Sequence, residues 1–330
     1  MKYLDVAGIG KVSRIGLGTW QFGSLEWGYG DRYASGTARD IVRRARALGV
    51  TLFDTAEIYG LGKSERILGE ALGDERAEVA VASKIMPIAP FPAVIKQRER
   101  ASARRLQLER IPLYQIHQPN PVFPDSVIMP GMRDLLDSGD IGAAGVSNYS
   151  LARWQRADAA LGRPVISNQV QFSLARPSAL DDLVPFAERE NRVVIAYSPL
   201  AQGLLGGKYG LDNRPDNRAR EVNPLFGTEN LRRAEALLQT LRDVAREVGT
   251  KPAQVALAWL ISLPGVVAIP GASSVDQLEC NVAAADIELT AESRDALTDA
   301  ARTFRPVPMS RFLTTRRLLT GMVRDKLHRN

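Results

Sequence analysis

TLFDTA (51–56), VAVASK (79–84) and LYQIHQ (113–118) are three short apolar runs, each carrying a residue capable of acid–base chemistry at or near its end. Helix-patterned stretches separate them: SERILGEAL (64–72) lies between the first two, and a helix over about 92–106 is expected between the last two. Strand-like runs alternating with helical patterns predict parallel strands joined by crossover helices. If these are successive strands of one barrel, Asp54, Lys84 and His117 all emerge on its C-terminal face, with Tyr59 one loop beyond Asp54. That face is where such barrels do chemistry.

The alternation continues in both directions. A hairpin over 2–13 precedes RIGLGTW (14–20), and helical TARDIVRRARALG leads to TLFDTA, with Gly49 as the helix stop. Beyond LYQIHQ come a helix over 125–137, IGAAGVS (141–147), helical LARWQRADAAL and a strand over 166–171. A helix near 178–189, RVVIAYS (192–198), a Gly- and Asn-rich segment to about 228, two helices, VVAIPG (266–271) and two final helices follow. Eight β-then-α units in order predict a (β/α)8 TIM barrel of the α/β class, with an N-terminal hairpin and a C-terminal helical extension. The expected division is a barrel over 1–303 and a basic extension over 304–330. A doubly wound sheet is the alternative. Its dinucleotide fingerprint is missing, because Gly16 and Gly18 are followed by Gln21. GKS at 62–64 resembles the end of a P-loop, but Glu57 stands where the earlier glycine is required.

Cys280 is the only cysteine, so an intramolecular disulfide and a cysteine-based metal site are excluded. His117 and His328 are the only histidines, which leaves no zinc ligand set. Catalysis then falls to side chains or an organic cofactor. The N-terminus has no apolar stretch of signal-peptide type, and the longest apolar run is broken at Pro264–Gly265, so a cytoplasmic protein without a transmembrane segment is expected. The net charge is +6; from Arg302 onward eight basic residues face Asp325 alone, a local +7, so the first 301 residues carry −1. The body is therefore no nucleic-acid-binding surface.

A tyrosine phenol, with an ordinary pKa of about 10, is a weak acid near neutrality. A nearby ammonium favours the phenolate, and a carboxylate beside that ammonium keeps it charged when buried. Asp54, Lys84 and Tyr59 thus form a tuned general acid, and His117 is placed to orient the same substrate oxygen. The chemistry suited to this set is protonation of an oxygen that gains negative charge, as a carbonyl does on accepting hydride. Taken singly, a Lys–Asp pair reads as structural and a strand-end histidine as a satisfied polar group; it is their joint placement that points to chemistry.

FDTAEIYGLGKSERILGEAL (53–72), VASK (81–84), QIHQ (115–118), GVSN (145–148), NQVQ (168–171), YSPLAQGLLGGK (197–208) and IPGASSVDQLECN (269–281) together closely resemble the aldo-keto reductase superfamily, over about residues 14–303. The resemblance implies a barrel that binds NADP(H) in an extended pose and reduces a small carbonyl compound. It implies Tyr59 as proton donor, Lys84 tuning it, Asp54 paired with Lys84 and His117 orienting the carbonyl. Ser147, Asn148 and Gln169 would hold the nicotinamide carboxamide, and Tyr197 would stack on its ring. Ser198, Leu200, Gln202 and Gly203 match the pyrophosphate loop, with positive charge from Lys208 and Arg218. Gly271, Ser273, Gln277 and Asn281 match the adenosine end. Gly271–Ala272 and Gln277 follow the branch of bacterial reductases and potassium-channel β subunits, not the one with Lys-Ser and a later Arg around the 2′-phosphate. That difference narrows the expected margin of NADPH over NADH. Cys280 stands where relatives often carry Glu and reads as a small buried hydrophobe.

For substrate, Trp20 and Trp27 are the expected contacts, with Tyr29 and Phe226 as further candidates for an apolar vestibule admitting small or aromatic carbonyls. Two other functions compete: a regulatory subunit that senses bound nucleotide with slow turnover, and a lyase using Lys84 as a Schiff base. In the tail, Leu318, Leu319, Met322, Val323 and Leu327 recur at helical spacing beside Arg316, Arg317, Arg324 and Lys326. Such a helix suits docking on the barrel or a second copy, a flap over the substrate mouth, or an anionic surface.

Overall fold

The computed structural model describes residues 1–23, 35–215 and 223–307. The C-terminal helical extension expected from the tail lies outside them. Two strands, β1 (Tyr3–Val6) and β2 (Gly10–Ser13), pair antiparallel as the N-terminal hairpin. The eight that follow are all parallel: β3 (Leu17–Gly18), β4 (Leu52–Asp54), β5 (Ala80–Ile85), β6 (Ile111–Ile116), β7 (Ile141–Ser147), β8 (Ser167–Gln171), β9 (Val193–Tyr197) and β10 (Val266–Ala268). Each pairs with the next in chain order. Parallel bridges Ile15–Ala268 and Gly18–Gly271 join the first strand to the last and close the barrel.

Helices surround the barrel. They are α1 (Ser35–Ala47), α2 (Lys63–Leu72), α3 (Pro92–Leu106), α4 (Asp125–Asp137), α5 (Leu151–Leu161), α6 (Leu183–Arg189), α7 (Thr228–Val248), α8 (Pro252–Ser262), α9 (Val275–Ala283) and α10 (Ala291–Thr303). One apolar layer packs between strands and helices, where Phe53, Tyr114, Trp154 and Trp259 are buried. A second fills the barrel axis, with Leu52, Ala80, Ala82, Leu113, Ala143, Val193, Ile195 and Val267. Val6 and Val12 of the hairpin join that axial layer and plug its N-terminal end. The plug sits close: a Cβ on Gly8, whose φ is +76°, would lie 2.5 Å from the Gly142 carbonyl oxygen. Only glycine meets both demands.

The expected helix over 178–189 is two pieces, a 3-10 turn at Ser178–Leu180 and then α6. Pro185 explains the break, since in a continuous helix it would lack the N–H for the Asp181 carbonyl and its ring would clash there. VVAIPG ends as a strand at Ala268, two residues before Pro270.

Candidate active site

Side chains alternate across a strand, so residues of one parity share the barrel interior. Leu52 and Asp54 are inward on β4, Ala80, Ala82 and Lys84 on β5, Leu113 and Gln115 on β6, and Ala143, Gly145 and Ser147 on β7. The lower positions in each series are apolar and the last are polar. The axis thus changes from core to chemistry at its C-terminal end.

Lys84 is fully buried, and its ammonium spends all three donors on fixed acceptors: Asp54 Oδ2 at 2.7 Å, the Thr55 carbonyl at 2.8 Å and Tyr59 Oη at 3.3 Å. Asp54 Oδ1 accepts from Gln169 Nε2 at 2.7 Å. Burial disfavours the Lys84 charge, but Asp54 and Tyr59 more than offset it and the net shift is upward. Burial likewise raises the Asp54 carboxyl, with Lys84 and the amides of Gln169 and Gln115 pulling it back. Burial also raises the Tyr59 phenol; Lys84 opposes and Asp54 adds to it. The ammonium acts to lower this phenol's pKa, but desolvation outweighs it and the net shift is upward. The phenol is thus protonated at neutral pH, with the Lys84 ammonium 3.3 Å from its oxygen.

His117 meets Tyr59 edge-on, with ring centroids 5.7 Å apart. Its pKa is lowered to about 3, first by burial and then by the Lys84 charge. The imidazole is therefore neutral at physiological pH. Its Nδ1 is buried and has no hydrogen-bond partner among the described residues.

A cavity of about 1100 Å³ opens over this group. Asp54, Tyr59, His117, Ser147, Asn148, Gln169 and Tyr197 line it. So do Ser198, Leu200, Gln202, Gly203, Lys208, Gly271, Ser273, Gln277 and Asn281. Trp20 lines it as well. Trp27 and Arg218 lie outside the described residues, as does Tyr29. Phe226 is buried edge-on against Tyr209, with centroids 5.5 Å apart, and is a packing residue.

The cavity wall is internally braced. Ser147 Oγ donates to the Gln169 carbonyl at 2.8 Å, and the Tyr197 hydroxyl donates to Asn148 Oδ1 at 2.9 Å. Asn223 Nδ2 donates to Gln202 Oε1 at 2.9 Å. After β10, Ser273 donates from both its backbone N–H and hydroxyl to Gln277 Oε1, each at 3.0 Å, and Asn281 donates to the Gly271 carbonyl. Asn148, Ser198, Ala201 and Gln202 all hold positive φ although none is glycine. Such backbone costs free energy and clusters at functional sites.

Among known proteins, the sequence pattern of the aldo/keto reductase family matches residues 14–302. The chain belongs to the aldo/keto reductase family. An oxidoreductase of Mycobacterium tuberculosis, named as uncharacterized, is 82% identical over 329 residues and all of both chains. An aldo-keto reductase of Bacillus subtilis is 31% identical, covering 84% of this chain and 87% of its own. The glycerol dehydrogenase of Gluconobacter oxydans superposes with a TM-score of 0.83 at 29% identity, covering 94% and 98% of the two chains. An aldo/keto reductase of Klebsiella pneumoniae, solved with NADP and acetate, superposes at 0.72 with 29% identity, covering 94% and 97%. Among the described residues, no helix of this aldo/keto reductase is long and apolar enough to cross a membrane.

Several groups at the reductase site escape the motif reading. Gln115 is fully buried beneath Asp54, near enough to favour its charged form yet outside hydrogen-bond geometry. Strand alternation from His117 already points it inward, so parity is the signal that finds it. Gln21 donates to the Ala272 carbonyl at 2.7 Å across the cavity wall, and no sequence pattern announces that contact. Ile58, Met86, Gln118 and Cys280 also line the cavity; Cys280 is half-buried there. Ser64, from the rejected P-loop-like stretch, is a buried clamp that donates to the Thr19 carbonyl at 2.9 Å.

Proposed function

We propose that this protein reduces an aldehyde or ketone to the alcohol, with NADPH as hydride source and Tyr59 as proton donor. The observation that carries the proposal is the Lys84 ammonium, whose three donors all have fixed acceptors, one of them the phenol oxygen facing the cavity. A lysine so engaged has no lone pair for a Schiff base, which counts against the lyase alternative.

The lining residues fit the cofactor by chemistry. Ser147, Asn148 and Gln169 offer amide and hydroxyl groups suited to a carboxamide, Tyr197 offers a flat face, and Lys208 offers charge for a phosphate. Ser273, Gln277 and Asn281 offer polar groups suited to the adenosine end. When bound, NADPH supplies a hydride to the carbonyl carbon. His117, neutral, orients the carbonyl oxygen, and the Tyr59 phenol transfers its proton to that oxygen as charge builds there. The phenolate that remains is stabilised by the Lys84 N–H already directed at it and regains a proton through the open cavity.

The test is steady-state NADPH oxidation across a panel of aldehydes and ketones, with fluorescence titration of NADPH and NADH. Turnover of some carbonyl substrates and tighter binding of NADPH are expected. Cofactor binding without turnover of any carbonyl would favour the nucleotide-sensing alternative, and equal dissociation constants would remove the NADPH preference.

A further inference from the structure

Tyr59 sits on a loop whose backbone is held under strain. Gly60, Leu61 and Gly62, which follow it, have φ of 54°, 54° and 82°, three successive residues in the left-handed region. Leu61 is not glycine and is 84% exposed, so its side chain gains little packing to offset the cost of that backbone. Such a loop needs an anchor, and only Ile58 separates Tyr59 from Glu57.

Glu57 is fastened from both its backbone and its side chain. Its N–H donates to the Lys84 carbonyl at 3.2 Å, and its Oε1 accepts the Met86 N–H at 2.7 Å, so it ties the loop after β4 to the end of β5 and the loop beyond. The guanidinium of Arg98, on α3, grips the same carboxylate with two donors: Nε reaches Oε2 at 3.0 Å and Nη2 reaches Oε1. A third donor, Nη1, reaches the Ile88 carbonyl at 3.0 Å. One side chain thus holds both loops at once, through a planar fork whose geometry a lysine ammonium does not reproduce. The Arg98 and Glu57 side chains are only 25% and 12% exposed, yet neither residue lines the cavity.

We infer that Arg98 is a positioning residue for Tyr59: it fixes Glu57, and through Glu57 it holds the strained Tyr59 loop in register with Lys84. The inference rests on the reduction proposed above. Lys84 is anchored independently, by Asp54 Oδ2 and the Thr55 carbonyl at the end of β4, so without the clamp it is the phenol that shifts and not the ammonium. The Lys84 contact to the phenol oxygen is already 3.3 Å, and any outward movement of the loop lengthens it. Misplacing a reacting group by about 1 Å costs about 100-fold in rate. The groups proposed to hold NADPH lie on β7 and later elements, so the clamp bears on proton transfer and not on cofactor affinity.

The test compares wild type with Arg98→Gln and with Arg98→Gln/Glu57→Gln, the second of which leaves no unpaired carboxylate should the first fold poorly. The single-turnover rate of NADPH oxidation at saturating carbonyl is expected to fall about tenfold to 100-fold in both, with half-saturating carbonyl and NADPH affinity within about twofold of wild type. The same substitutions are then placed in a Tyr59→Phe background. There the further loss is expected to shrink to about twofold or less, because the group being positioned is gone. Hydrogen–deuterium exchange supplies a readout without turnover: amides of 57–62 are expected to exchange about tenfold faster in the variants while those of β7 to β10 keep their rates. If no carbonyl is reduced, the reduction reading fails and exchange alone judges the clamp. An unchanged single-turnover rate, or unchanged exchange at 57–62, overturns the inference. So does an equal loss in the Tyr59→Phe background, which would make Arg98 a general support of the fold. A rise in half-saturating carbonyl at wild-type rate overturns it as well, since the clamp would then shape the substrate mouth and not place the proton donor.

Discussion

Tyr59 and His117 stand 5.7 Å apart between ring centroids, and burial displaces both from their ordinary protonation behaviour in directions that matter for rate. Replacing Tyr59 with Phe removes the transferable proton and little volume, so carbonyl reduction is expected to fall about 100- to 10,000-fold while NADPH affinity holds. Wild-type turnover in the Phe variant, in the same oxidation assay, would show that another group donates the proton. The pH profile separates the two rings. The phenol pKa is raised, so the protonated donor is fully present through neutral pH and is lost only as pH climbs through the folded value. The imidazole pKa is lowered to about 3, so it stays neutral from mildly acid conditions upward. The profile of kcat/KM for reduction is therefore expected to be flat from pH 6 to 9 with one alkaline fall. An inflection near 6.5 that disappears in His117→Gln would mean the imidazole titrates normally. The same shift has a sign for stability: unfolded, the ring takes a proton near 6.5 while the folded ring does not, so this group weakens the fold as pH drops from there toward 3.

At the level of strands, the reading from sequence succeeds where alternation and a chemical residue coincide. TLFDTA, VAVASK and LYQIHQ became β4, β5 and β6, with Asp54 and Lys84 inward at their ends and His117 just beyond the last. It is weakest where backbone geometry overrides pattern. RIGLGTW, a seven-residue run, yields only Leu17–Gly18 as strand, because Gly16 and Gly18 lie tight against the backbone of Leu52 and Ile269 and the closure is made by isolated bridges. The floor of the site was legible only in part. Gly145 looks like one small residue in GVSN, yet a Cβ there would overlap Ser167 Oγ and lie 2.8 Å from Gln115 Cγ. It is the absence of a side chain on β7 that lets Gln115 and Ser167 occupy the axis beneath Asp54. Gly145→Ala is expected to cost about 1–3 kcal/mol through overpacking and to lower kcat by displacing Gln115 from Asp54. Thermal melting and turnover together check this, and an unchanged melting temperature with full activity would mean the axis has slack.

Across the whole chain, charge and contacts divide the molecule at different points. The expected division after Thr303 follows composition, but the described contacts run four residues further. Phe304 is buried against the core, and Val307 is held at both backbone groups by Asn230: Nδ2 donates to its carbonyl at 2.9 Å and Oδ1 accepts its N–H at 2.7 Å. Asn230, on α7, is itself buried, so this clasp fastens the chain after α10 onto a barrel helix. Sequence could not reveal it, because the pairing joins residues 77 positions apart through one asparagine near the start of an amphipathic helix. Beyond Val307 the chain holds six basic residues and Asp325, so removing 308–330 leaves a body of net +1. We expect two truncations to differ. Ending at Val307 should preserve the melting temperature and NADPH affinity, since all described cavity-lining residues precede it. Ending at Thr303 removes a buried aromatic, a loss of about 3 kcal/mol or more, and leaves Asn230 Oδ1 without its donor. A lower melting temperature for the shorter form alone is the expected result. Equal melting temperatures would mean that the clasp contributes nothing and that the barrel's stability ends with α10.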